Sequence, residues 1–377
     1  MTRETGRPRL LFVVTEDWYF CSHRLDLARA AAAAGYDVHV ATRVTRHGER
    51  IRSAGLTLHP LELGRRVGNP VGEIASLVGL MSRVRPAILH NVALKPAVFG
   101  SLAARLAGNP RVVNAVSGLG YVFINKGGVA ALLRPLMIAA MRFLFGGAGR
   151  HVIVQNADDK RFFDGLVSPG QVHLVRGAGI DVDRFVPMPE LPGVPIAAAV
   201  ARLLWDKGIG ELVEAARILK ERGVALRIAL VGRPDPDNPR TVPEETVRGW
   251  VAEGLVEWWG HRDDIVDVWR QAGIAVLPSY REGFPKALLE AAACGRPLVT
   301  TDVPGCNELV RHDDNGILVP VREVRPLADA LARLAADPGL RARLGARARQ
   351  RAVEEFSSDT VIAAQLALYR QLVPLPH

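Results

Sequence analysis

The sequence predicts an α/β protein of two doubly wound, Rossmann-like domains, each a parallel sheet covered by helices. Three observations lead there. The chain has 377 residues, more than one hydrophobic core usually serves. Short runs rich in Val, Ile and Leu alternate with segments of helical period in both halves, the pattern of βαβ units. One stretch, "FVPMPELPGVP" at 185–195, carries four prolines and interrupts the alternation, so it reads as a linker.

The elements follow in order. "PRLLFVV" is a buried-strand run. "SHRLDLARAAAAAG" reads as one helix, with Ser22 as its N-cap and Gly35 as its stop. "YDVHVAT" is the next strand. The pattern repeats through "AILHNV", the helix "KPAVFGSLAARLAG", the strand "RVVNAV" and a glycine-containing loop, then "HVIVQN" and "QVHLVRGAG". Past the linker come the strand "IAAAVAR", the helix "GIGELVEAARILKERG" and the strands "VALRIALVG", "GLVEWWG", "AGIAVLPS", "RPLVTTD" and "NGILVP". The chain closes on helical sequence broken at Pro338 and a further helix, "SDTVIAAQLALYRQLV". The expected domains are 1–185 and 186–355, with 356–377 crossing back to the first. Ligands of such sheets bind beyond the C-terminal ends of the strands, and two facing domains are expected to form a cleft.

Composition narrows the class. The chain is 49% hydrophobic and 23% charged, the range of a folded soluble protein. Its three cysteines, Cys21, Cys294 and Cys306, are scattered. That argues for a reducing cytoplasm and against a disulfide framework or zinc ribbon. "LLFVV" has strand length and is followed by Glu16 and Asp17, unlike a secretory signal. No run approaches the roughly 18 uncharged apolar residues of a membrane span.

Charge is uneven. Residues 1–185 hold 24 Lys/Arg against 13 Asp/Glu, and residues 186–377 hold 24 against 26. From Ile74 to Ala157 there are nine basic residues and no acidic one. A basic first half points to an anionic partner. Nucleic acid is disfavoured, because no basic stripe interleaved with aromatics is present. Within the acid-free region, "VAALLRPLMIAAMRFLFGGAG" at 129–149 is strongly apolar, with Arg134 and Arg142 eight apart. It fits a helix docked on a membrane surface, or a buried domain helix.

The chemistry concentrates in "SYREGFPKALLEAAACG", residues 279–295. Pro285 suits the first helical position. Glu282 then lies in the loop after a strand, and Glu290 lies inside the helix. A helix N-terminus attracts anions, and carboxylates accept hydrogen bonds from vicinal hydroxyls. A nucleotide sugar fits, with its diphosphate at the helix and hydroxyls at each carboxylate. In "VARLLWDKGIGELVEAA", Arg202 and Lys207 follow the first strand of the second half, where two cations neutralise a departing diphosphate.

Residues 197–320 resemble the second domain of retaining family 4 glycosyltransferases of the GT-B fold. The resemblance rests on "ARLLWDKGIGELVEAA", "WWGHRDDI", "VLPSYREGFPKALLEAAACGRPLVTTDVPGCNELV" and "NGILVP". Glu282 and Glu290 match that family's E-x7-E motif. The resemblance implies Glu282 at the donor sugar, Glu290 at the nucleotide ribose, and Arg202 and Lys207 at the diphosphate. Backbone groups of Gly283, Phe284, Pro285 and Lys286 are implied near sugar and phosphate.

In the first half, "DWYFCSHRLDLARAAAAAGYDVHVAT", "LHNVALKPAVFGSLAARLAG" and "NAVSGLGYVF" are similar to members acting on polyprenyl-diphosphate-linked sugars in bacterial surface-glycan assembly. Ser117, followed by Gly118, stands where many members carry a donor-contacting histidine. Asp17, His23 and His90 are further candidates in this half. Asp181-x-Asp183 looks like a metal pair but has no acidic or histidine neighbours, so it is read as structural.

The expected activity is retaining transfer of a hexose or N-acetylhexosamine from a nucleoside diphosphate, UDP above others, to a lipid-linked saccharide. Neither metal nor other cofactor is expected to be required. The expected place is the inner face of the cell membrane, peripherally bound to its anionic surface. A nucleotide-sugar 2-epimerase of the same architecture and a non-catalytic scaffold are the alternatives.

Overall fold

The computed structural model describes residues 6–64, 68–108, 110–116 and 129–375, with the side chains of 129–134 set aside. The chain divides into two compact units, Met1–Ala178 with Asp359–His377, and Gly179–Ser358. The dividing line falls ahead of the proline-rich stretch. Ile180 and Phe185 pack into the second unit's core, and Ile180 exchanges backbone hydrogen bonds with Phe356 and Ser358 at 3.0 and 2.9 Å.

The first unit holds a seven-stranded parallel sheet. Its strands are β1 (Arg9–Glu16), β2 (Asp37–Arg43), β3 (Thr57–Pro60), β4 (Ile88–Val92), β5 (Arg111–Val116), β6 (Arg150–Val154) and β7 (Val172–Leu174). They lie in the order β3-β2-β1-β4-β5-β6-β7, the doubly wound arrangement. The central strands are apolar on both faces because helices cover both: Leu10 to Val13 are wholly buried. The helices are α1 (Asp17–His23), α2 (Leu25–Ala33), α3 (Gly48–Ser53), α4 (Pro70–Val84), α5 (Leu94–Leu106), α6 (Val129–Phe145) and α7 (Ala157–Asp164).

One expectation needs correction here. "SHRLDLARAAAAAG" forms two helices, not one, because Arg24 leaves helical geometry at φ −132°, ψ −12°. Ser22 is therefore inside α1, and Arg24 takes the N-cap place of α2. Gly35 does end the second helix, at φ +109°. Helix α6 is neither wholly buried nor wholly free. Met141, Leu144 and Phe145 enter a core with α5, β6 and α7, while Leu136 and Phe143 stay 69% and 60% exposed.

The second unit holds a six-stranded parallel sheet in the order β10-β9-β8-β11-β12-β13. These strands are β8 (Ile196–Val200), β9 (Arg227–Val231), β10 (Glu257–Gly260), β11 (Ile274–Leu277), β12 (Leu298–Thr301) and β13 (Gly316–Val319). Its helices are α8 (Ile209–Glu221), α9 (Glu244–Ala252), α10 (Ile265–Gln271), α11 (Lys286–Ala293), α12 (Cys306–Leu309), α13 (Val324–Ala336) and α14 (Pro338–Phe356). Two cores line the two faces of the sheet, one under α8 and α13, the other under α11 and α14. The last helix, α15 (Ser358–Leu372), packs into the first unit, where Val361, Leu368 and Tyr369 are buried.

Among the described residues, no helix is long and apolar enough to cross a membrane.

Candidate active site

The site is built in the second unit from three loops that leave the C-terminal ends of neighbouring strands: the one after β8, the one after β11 and the one after β12. Backbone contacts join them. The amide of Tyr280 donates to the carbonyl of Asp206 at 2.9 Å, and the amide of Glu282 donates to the carbonyl of Pro304 at 3.1 Å. Two glycines permit this closeness. At Gly208, φ is +71° and a Cβ would lie 2.1 Å from the carbonyl oxygen of Pro278. At Gly305, φ is +86° and a Cβ would lie 2.4 Å from that of Glu282. A side chain at either position has neither room nor suitable backbone geometry.

This folding joins Lys207 to Glu282, 75 residues apart in sequence. The Lys207 ammonium donates to Oε1 of Glu282. The hydroxyl of Ser279, wholly buried, donates to the same oxygen at 2.7 Å. Ser279 is held in turn by Thr301, whose hydroxyl donates to the Ser279 carbonyl. Behind the loop lies Cys306, also wholly buried. Burial first, and then the nearby Glu282 carboxylate, push its thiol up to about 12, so it is no thiolate nucleophile at neutral pH.

Pro285 takes the N-cap place, not the first helical turn. Its ψ is 96°, outside helical geometry, and Lys286 opens α11. Phe284 is 9% exposed and its ring packs 5.1 Å from that of Phe356, so its side chain belongs to the core. Glu290 sits one turn into α11 at 7% exposure, 3.4 Å from the Lys286 ammonium. Burial raises its carboxyl above the usual range, against the pull of Lys286 and Arg184.

Arg202 makes a separate pair. Its guanidinium donates to Asp235 at 2.7 Å and is about half exposed. Asp235 follows β9 and is itself fixed by its own amide, which donates to Thr241 at 2.8 Å. In this state each of the three cations, Lys207, Lys286 and Arg202, faces a carboxylate. Such charge-assisted pairs are the ones an anionic or polyhydroxylated ligand would have to displace.

Ser279, Asp235, Gly208 and Gly305 were not legible as site residues. Only a polar residue at a strand end, or a glycine beside one, hinted at them.

The first-unit candidates resolve differently. Asp17 is wholly buried and accepts from the Thr45 hydroxyl at 2.6 Å and from the amides of Thr45, Arg46 and His47 at 2.7, 3.0 and 2.8 Å. It is held by these bonds and ties down the loop after β2. His90 is wholly buried, stacked 4.9 Å from Phe12 and hydrogen-bonded to the Tyr369 hydroxyl. Burial and Arg24 hold it neutral, so it serves packing. His23 stacks on Tyr19 at 4.1 Å. Ser117 and Gly118 lie outside the described residues. Asp181 accepts from the amides of Asp183 and Arg184 at 3.1 and 2.9 Å, a local turn. Among the described residues no cluster of three or more metal-ligating side chains occurs.

Comparison with known proteins gives the family. Residues 9–156 match the family described as glycosyl transferase 4-like, and residues 194–337 match glycosyl transferases group 1. The chain is 28% identical to an N,N'-diacetylbacillosaminyl-diphospho-undecaprenol alpha-1,3-N-acetylgalactosaminyltransferase of Campylobacter jejuni, over 93% of this chain and 95% of the relative. It is 26% identical to a UDP-Gal:alpha-D-GlcNAc-diphosphoundecaprenol alpha-1,3-galactosyltransferase of Escherichia coli, over 70% of each. A sucrose-phosphate synthase from Thermosynechococcus elongatus superposes with a TM-score of 0.81 over 97% of this chain and 99% of that one, at 23% identity. With two doubly wound units, a glycosyl transferase 4-like first part and a group 1 second part, the chain belongs to the glycosyltransferases of the GT-B fold.

Proposed function

We propose that this glycosyltransferase moves a hexose or N-acetylhexosamine from a UDP-sugar to a polyprenyl-diphosphate-linked saccharide, with retention at the anomeric carbon. The observation that carries the reading is the meeting of Lys207 and Glu282 beside the start of α11, with Glu290 one turn inside it. A cation for a phosphate, from the loop after β8, then meets two carboxylates for two sets of hydroxyls, carried by the loop after β11 and by α11. The two relatives' names both specify transfer to a diphospho-undecaprenol-linked sugar, which supports the acceptor class.

In this reading Glu290 accepts from the ribose hydroxyls and Glu282 from a hydroxyl of the transferred sugar. Lys207, Arg202 and the N-terminal end of α11 stabilise the diphosphate as the bond from the anomeric carbon to its oxygen breaks. The acceptor hydroxyl forms the new bond on the same face. Its proton passes to the departing phosphate oxygen. Fixed positive charge thus takes the part a divalent metal plays elsewhere, and the reaction proceeds without one.

The first unit carries the acceptor at an anionic membrane on the cytoplasmic side. Supporting this, Leu136 and Phe143 of α6 and Leu106 at the end of α5 are exposed by 69%, 60% and 66%. Arg105 stacks 4.2 Å from the Phe143 ring, and the sequence from Ile74 to Ala157 has no acidic residue. Apolar side chains among arginines suit a headgroup region.

The test is UDP release from a panel of UDP-sugars, with and without a polyprenyl-diphosphate-sugar in anionic or neutral vesicles. Release that requires the acceptor, is faster on anionic vesicles and falls by about 10²–10³ in Glu282→Ala is expected. Isomerisation of the sugar without acceptor would show an epimerase instead. Binding of UDP without turnover on any pair would show a scaffold.

A further inference from the structure

Two donors converge on one oxygen of Glu282. The ammonium of Lys207 and the hydroxyl of Ser279 both reach Oε1, and among the described residues no donor reaches Oε2. A carboxylate has acceptor sites on both oxygens, so this asymmetry leaves one oxygen committed to the protein and one for a ligand. The Glu282 side chain keeps 12% exposure, enough for a ligand hydroxyl to touch it.

The two donors do not do the same work. Lys207 is a flexible cation that a bound diphosphate attracts away. Ser279 is not displaceable: it is wholly buried at the end of β11, its carbonyl takes the Thr301 hydroxyl, and β12 pairs beside it. When phosphate draws Lys207 off, Ser279 alone still holds the carboxylate's orientation.

We propose that Ser279 is the positioning residue that fixes Glu282 so that Oε2 faces the sugar of the donor. The inference rests on the donor reading above and assigns Ser279 no contact with the ligand. Loss of its hydroxyl frees the Glu282 side chain to rotate, and the sugar then meets a carboxylate held in no single orientation. The nucleotide contacts at Glu290 and α11 are untouched. Ser279 therefore affects the sugar and not the UDP.

That selectivity is the test. UDP and UDP-sugars (glucose, galactose and their N-acetylamino forms) are titrated by calorimetry into the wild type, Ser279→Ala and Ser279→Cys. Ser279→Ala is expected to bind UDP as the wild type does and its best UDP-sugar about tenfold more weakly, the order of one hydrogen bond to a charged group. Ser279→Cys fills the same space with a weak donor and falls between them. It also keeps the test open should the alanine variant fold poorly. The proposal is overturned if either variant weakens UDP and UDP-sugar equally, which marks a merely structural role, or weakens neither. A wild type that binds UDP-sugars no better than an unrelated protein overturns the donor reading and this inference with it.

Discussion

Glu290 sits one turn inside α11, where burial pushes its carboxyl above its ordinary value of 4.5 while Lys286, at 3.4 Å, pulls the other way. A carboxyl whose folded-state value is raised holds its proton more tightly in the folded chain. Its contribution to stability is present below the unfolded value and is lost as pH rises toward the folded one. Keeping a carboxylate there at neutral pH thus costs stability, which ligand recognition compensates in the function proposed above. Glu290→Gln is expected to melt with the wild type at pH 4 and above it at pH 7.5. If Glu290 meets the ribose as proposed, the same variant is expected to bind UDP roughly ten- to a hundredfold more weakly, since a neutral amide replaces a charged acceptor. Thermal scans at the two pH values and a UDP titration check both. Equal melting at pH 7.5 would mean that the buried carboxylate carries no cost.

At the scale of elements, the first sheet carries an imidazole pair toward each edge. His39 and His59 join β2 to β3, and His151 and His173 join β6 to β7, each pair at 2.9 Å. Such a bond needs one ring to donate and the other to accept, so the accepting nitrogen must stay unprotonated. Burial, then His173 and Arg111, lower His151 from 6.5 to about 4. Burial and Lys160 lower His173, and burial, His39 and Arg83 lower His59. For a base with a depressed folded-state value, stability is present above the unfolded value and is lost as pH falls through the window, here from 6.5 toward 4. The melting temperature is expected to drop across that window. His151→Leu combined with His173→Leu removes two of the titrating groups and is expected to flatten the drop without unfolding the sheet. An unchanged slope would place the acid sensitivity elsewhere.

Such pairs show where reading a sequence stops. Strands β1, β4, β8 and β11 were legible because buried parallel strands are unbroken apolar runs bounded by turns. The break at Arg24 was not, since no glycine or proline marks it and only packing bends the chain there. Helices α3 and α4 and strand β3 went unread, for Thr57–Pro60 is a short edge strand with half-exposed residues. In the site, Glu282 and Lys207 were legible from their positions after strands. Ser279 was not, because its partner depends on the path of a loop.

At the scale of the whole molecule, continuity in sequence and continuity in structure part company. Residues 359–377 follow the second unit in the chain but complete the core of the first. Val361, Leu368 and Tyr369 are 3%, 5% and 0% exposed there, the Tyr36 hydroxyl donates to the Val373 carbonyl at 3.3 Å, and Tyr369 meets His90. Burying three such side chains stabilises by about 5–9 kcal/mol, an upper figure because the unfolded chain already buries part of that surface. The whole stability of a domain is about 5–15 kcal/mol. Truncation after Ser358 is therefore expected to unfold the first unit, whose exposed β1 and β4 face then aggregates. The second unit is expected to persist, because every residue of its two cores lies between Ile180 and Phe356. Calorimetry of the truncated chain should show one cooperative transition, shifted upward by UDP through binding to the folded form. The isolated fragment 179–358 should reproduce that transition and its shift. Two transitions in the truncated chain would show that the first unit holds without α15, and loss of both would show that the units fold as one.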